Sequence, residues 1–141
     1  MFIYIISRLL RKSAGSPQLL LLLLQAAAGD GNIATAARNI LNTTLADLFN
    51  QVHAIPKHRQ DEIPLFTGMA SVLPQIQKML LSSNPVIVDT SSTLVYLYCL
   101  YKGRSVSAGV VKYILCHSTQ ITNLVTCLKL LDQLEQFHTN V

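Results

Sequence analysis

A chain of 141 residues, half of them apolar, can bury one sizeable core and is too hydrophobic to be a disordered polymer. Charged residues make up only 13%, about half the share of a free-standing domain, so some apolar face should be covered by another chain, a membrane or more of the same protein. The net charge of +4 comes entirely from residues 1–60, and no Arg/Lys stripe with interleaved aromatics accompanies it, which argues against a nucleic-acid surface.

Residues 1–12, MFIYIISRLLRK, are apolar with Arg8, Arg11 and Lys12 at the trailing end. Ser16 and Pro17 then read as the cap and first residue of a helix. It carries the six leucines of residues 19–24 and ends at Gly29-Asp30-Gly31. Neither apolar run approaches the roughly 18–20 residues of a membrane span. A secretory signal would put its cations ahead of the apolar core, the reverse of the order here. The lack of acid before Asp30, with Arg and Ser present, suits a mitochondrial presequence. Ordinary buried helices are the leading expectation. Membrane association or mitochondrial targeting directed by residues 1–31 is the alternative.

Over residues 32–54, Ile33, Ala36, Ala37, Ile40, Leu41, Leu45, Leu48, Phe49 and Val52 follow i, i+3, i+4, i+7 spacing. Arg38, Asn42, Asp47 and Gln51 fall off the stripe. The spacing predicts an amphipathic helix with one buried face, within which Asn42-Thr43-Thr44 is not expected to act as a glycosylation acceptor. PKHRQDEIP, residues 56–64, is the one charged run and reads as an exposed linker. His53, His58, Asp61 and Glu62 lie in or beside it without metal-ligand spacing, so no metal is expected.

Residues 64–103 hold two further helices. Leu65, Phe66, Met69, Val72, Leu73, Ile76, Met79 and Leu80 share one face, with Pro74 in mid-pattern to bend or split the helix. Asn84 and Pro85 open the second helix, and Gly103 ends it. LVYLYCLY, residues 94–101, is β-prone taken alone, but its length and flanking signals predict a helix buried nearly all round. The stretch LPQIQKMLLSSNPVIVDTSSTLVYL resembles the core of a HEAT/armadillo-type helical repeat. Pro74 kinks the first helix, an Asn-Pro turn follows, and Ile87, Ser91 and Ser92 stand where the second helix packs closely. Val88 stands where such repeats carry Arg and no acid sits in the turn, so the resemblance does not extend to the polar ladder that normally joins such units.

The period extends that resemblance. Leu65, Met69, Leu73 and Leu80 recur 41 residues later as Val106, Val110, Ile114 and Ile121, inside the roughly 40–47 of this repeat class. The reading is all-α: a short right-handed stack of antiparallel helix pairs, α-solenoid-like, or else an irregular helical bundle. An apolar and basic segment, 1–16, precedes one helical domain, 17–141, of three pairs: 17–54, 64–102 and 105–138. In the last pair Val106, Val110 and Ile114 make one face, and Ile121, Leu124, Val125, Leu128, Leu131 and Leu134 the next. Lys129, Asp132 and Glu135 point to solvent.

Chemistry is sparse. Gly29-Asp30-Gly31 lacks the Lys and Ser/Thr of a phosphate loop. Cys116 and His117 diverge as helix neighbours, and Cys99, Cys116 and Cys127 read as buried free thiols in a reducing compartment. No enzyme activity, cofactor or metal is expected. Tyr96, Tyr98, Tyr101 and Tyr113 form the candidate interaction surface, or else pack in the core. The expected role is a cytoplasmic protein–protein interaction scaffold or a subunit of a larger complex. Its partner would be another protein or a second copy, with a membrane reached only through the N-terminal segment.

Overall fold

The computed structural model describes residues 17–54 and 63–139. The N-terminal segment 1–16 and the linker residues 55–62, with His58, Asp61 and Glu62, lie outside the described residues. Among the described residues six α-helices follow one another: α1 Pro17–Ala27, α2 Gly31–Ala54, α3 Pro64–Met79, α4 Pro85–Lys102, α5 Arg104–Cys116 and α6 Leu124–Thr139. One 3-10 turn, Ser118–Gln120, precedes α6. No strand occurs among the described residues, so the fold class is all-α, as the spacing predicts. LVYLYCLY is helical, because a helix of this length satisfies its own backbone while burying side chains on most sides.

Two compact units divide the chain, Met1–Pro74 and Gln75–Val141. The boundary falls at the proline inside α3, which runs through it as one helix rather than two pieces. Pro74 and Ala70 are both exposed, so water can serve the carbonyl that loses its amide partner there.

In the first unit, α1 buries Leu20, Leu23, Leu24 and Ala27, and it packs against α2. Gly31 starts α2 with φ +89, the left-handed region that favours glycine. The inward seam of α2 is Ala34, Ala37, Leu41, Thr44 and Leu48, with Ile40 and Val52 beside it. This corrects the stripe expected from sequence: Ile33 is 79% exposed and Phe49 is 50% exposed, while Ala34 and Thr44 go inside. A neighbouring helix covers a narrow band, and apolar spacing does not say which edge of a broad stripe it takes. The Thr44 hydroxyl donates to the Ile40 carbonyl at 2.8 Å, which makes its burial tolerable.

In the second unit, α4 is the central element and packs against both α5 and α6. Asn84 caps it as expected, its Oδ1 accepting from the amides of Val86 (2.9 Å) and Ile87 (3.4 Å), with Pro85 in the first turn. Val88, Leu94, Val95, Leu97, Tyr98 and Cys99 form its buried body. Ser91, also buried, donates to the Ile87 carbonyl at 2.7 Å. Gly103 (φ +96, ψ −163) ends α4 and starts α5, donating to the Cys99 carbonyl at 2.8 Å. In α5, Ser107, Val110 and Ile114 turn inward. In α6, Cys127, Leu130 and Leu134 do so.

Candidate interaction surface

The expected apolar face of α6 is the largest departure from the sequence reading. Leu124 and Leu128 are 55% and 53% exposed, Val125 is also exposed, and Leu131 is half-buried. Leu134 alone of the expected face is in the core, joined there by Cys127 and Leu130. The cause is visible at the start of the helix, where three side chains tie it to the α3–α4 turn and to α4. The Thr122 hydroxyl reaches the Leu81 and Ser82 carbonyls at 3.3 and 3.0 Å. Thr126 donates to Asp89 Oδ1 at 2.9 Å, and the Cys127 thiol lies 3.7 Å from the Leu80 carbonyl. Those contacts fix the roll of α6 about its axis and leave its leucine stripe outward.

That stripe meets a matching one. Arg104, Ala108, Val111 and Leu115 follow one another along α5 at steps of four, three and four residues. Leu124, Leu128, Leu131 and Glu135 repeat the same steps along α6. Such spacing keeps side chains in a single row on a helix. Between the rows lies a groove of about 530 Å³ lined by Ala108, Val111, Leu115, Leu131 and Glu135. Leu115, which closes the α5 row, is 60% exposed. Ala108 and Glu135 line the same groove, and the short connection through Ser118–Gln120 reverses the chain between the helices. The two charged residues, Arg104 and Glu135, therefore stand toward one end, with the leucines toward the other.

The four tyrosines singled out from sequence are dispersed differently. Tyr98 is in the core, and Tyr96, Tyr101 and Tyr113 are half-buried. Tyr98 lies 6.1 Å from Tyr101, ring centre to ring centre, and Lys102 Nζ sits 5.5 Å from the Tyr101 centroid. Tyr113 instead stacks on His117 at 4.1 Å, the His117 Nδ1 meeting the Tyr113 carbonyl at 2.8 Å. Burial raises the phenol pKa of Tyr98, helped by Tyr101 and Cys99, and burial also raises that of Tyr113. The tyrosines do not line the groove. The signal that would have found it is the repeated four-three-four step, not the aromatic content.

The thiols are also divided. Cys99 and Cys127 are buried and free, and burial pushes Cys99 up to about 12 and raises Cys127 as well. Cys116 is exposed, contrary to the expectation of three buried thiols, because it follows Leu115 off the inward face of α5. His53 turns to its own helix, with Nδ1 2.8 Å from the Phe49 carbonyl. Among the described residues no three His, Cys, Asp or Glu side chains converge, and no helix is long and apolar enough to cross a membrane.

Fold and surface together define an all-helical domain with an exposed apolar groove on one of its units. The family described as Integrator complex subunit 5 C-terminus matches residues 1–141, the whole chain, and the chain belongs to that family. It is thus a helical domain of a complex-subunit family, with a fold compatible with repeat-type architecture. No curated protein and no solved structure matches the chain.

Proposed function

We propose that the chain is a non-catalytic docking module that takes its place in a multiprotein assembly, the Integrator complex named by its family, through the groove between α5 and α6. The observation that carries this is the pair of outward leucine-bearing rows on helices whose inward faces are already satisfied. A soluble surface rarely keeps so much contiguous apolar area unless something covers it. The charge content of 13% makes the same point for the whole chain.

The helices are read as HEAT-type pairs. Thr122 bonds to carbonyls 41 and 40 residues earlier, which is the period of the apolar pattern. Pro74 within α3 and Asn84-Pro85 at the start of α4 stand where such a unit places them. Stacked pairs shelter one another, and the outward rows of α5 and α6 are a face of that kind with no neighbour over it among the described residues.

The test is affinity purification of the tagged full chain from its native cell, beside Leu128→Lys. Recovery of Integrator subunits with the wild type and their loss with the variant is the expected result. Equal recovery with both would remove the groove from the contact, and recovery with neither would remove the assembly.

A further inference from the structure

We infer that α6 has two rolls about its axis, and that the Thr126–Asp89 contact is the latch that keeps the docking groove open. This rests on reading the groove as a docking surface, and it adds the control of that surface. α6 carries two apolar rows one residue apart. Cys127 and Leu130 face the core, while Leu128 and Leu131, each the next residue along, belong to the outward row. One residue is about 100° of an α-helix, so a roll of that size puts Leu128 where Cys127 sits and Leu131 where Leu130 sits. Both core places stay filled by leucine. The same roll carries Lys129 and Asp132 into the outward places of Leu128 and Leu131, and that wall of the groove turns from apolar to charged. The space of the groove beside α6 leaves room for the turn.

Two features make the open roll the major state. In the closed roll Leu130 and Leu134 would take the exposed places of Lys129 and Gln133, and Glu135 would enter the buried place of Leu134, where a charge is costly. The second feature is the latch. Thr126 donates to Asp89 Oδ1 at 2.9 Å and ties the body of α6 to α4. Thr122, ahead of the helix, holds the Leu81 and Ser82 carbonyls and anchors the end about which α6 turns. The latch is exposed to solvent, so water replaces either partner when it opens and no orphaned polar group is left buried. A partner that binds only the leucine row selects the open roll, because the closed one offers it no such row.

The thiols report the roll, so site-resolved alkylation of the full chain with iodoacetamide tests it. Cys127 is buried in the open roll and takes the half-buried place of Thr126 in the closed one, while Cys99 in α4 stays buried in both. Thr126→Val should speed labelling of Cys127 at least about fivefold, the scale of one net hydrogen bond, and Thr126→Ser should stay near wild type. Adding Leu128→Lys to Thr126→Val should restore protection, because the closed roll would then drive an ammonium into the core. General loosening of the fold is not reversed by an exposed lysine. Unchanged labelling of Cys127 in Thr126→Val would overturn the inference. So would acceleration of Cys99 in step with Cys127, or acceleration that persists with the added lysine. In the affinity purification, Thr126→Val should recover fewer Integrator subunits than wild type or Thr126→Ser. Equal recovery beside faster Cys127 labelling would overturn the latch as control of the groove. Wild type that recovers none would remove the docking reading, with the roll still decided by the thiols.

Discussion

Arg38 on α2 holds the end of α1 through the carbonyl of Ala27, its Nε donating at 2.9 Å while Nη2 donates to Gly29 at 2.8 Å. The last carbonyls of a helix have no partner in the helix itself, and a cation there also meets the negative end of the helix dipole. One side chain therefore closes the α1–α2 turn from the opposite arm of the hairpin. Arg38→Ala should lower the unfolding free energy by about 1.5–3 kcal/mol, the range for hydrogen bonds to a charged group. Arg38→Lys should recover only part of it, since an ammonium cannot span both carbonyls as the planar fork does. Urea unfolding of the three proteins checks the order.

Gly103 and Gly109 offer a paired test of backbone against space. A Cβ added at either would meet nothing within 4 Å. Gly103 adopts φ +96 and ψ −163, a region open to glycine almost alone, and Gly109 sits within α5 at ordinary helical angles. Gly103→Ala should cost about 1–3 kcal/mol. Gly109→Ala should stabilise by roughly 0.5–1 kcal/mol, through helix propensity and a less free unfolded chain. Thermal melts should shift in opposite directions.

The thiols predict a pH dependence with a definite sign. Cys99 is pushed up to about 12 by burial, so the folded state keeps its proton where the unfolded chain releases it. Its contribution is whole below the unfolded thiol value near 9 and falls as pH rises toward 12. Cys127 shifts in the same direction and adds to the loss. Between those limits Cys99 steepens the decline in stability by up to about 1.4 kcal/mol per pH unit, and Cys99→Ala should flatten that limb while lowering stability at neutral pH. Thiol titration of the native protein at neutral pH should find one reactive group, the exposed Cys116.

Helix type and most boundaries were legible because they rest on local chemistry. Asn84 and Pro85 open α4 where their capping geometry places them, and Gly103 stops it with dihedrals only glycine tolerates. The buried length of α4 follows from apolar residues on nearly every side. Facing was harder to read. Ile33, Phe49, Leu124 and Leu128 match the apolar spacing of their helices yet lie outside, since the roll of a helix is set by distant partners. For α6 those partners are Asp89 and the carbonyls of Leu80, Leu81 and Ser82, about 40 residues away in sequence. Arg38 was equally opaque: off the apolar stripe it looked like a solvated charge, and only the fold shows its two carbonyls.

The roll of α6 is itself the sharpest stability prediction. Leu128 and Leu130 are two residues apart, chemically identical and equally suited to a helix. Leu130 is buried and Leu128 is half in solvent. Leu130→Ala should remove about 2–5 kcal/mol, combining lost transfer energy with the cavity left behind. Leu128→Ala should stay within about 0.5 kcal/mol in the monomer, as surface substitutions do. Denaturation of dilute protein separates the two, and a larger loss at Leu128 would mean that α6 is rolled the other way.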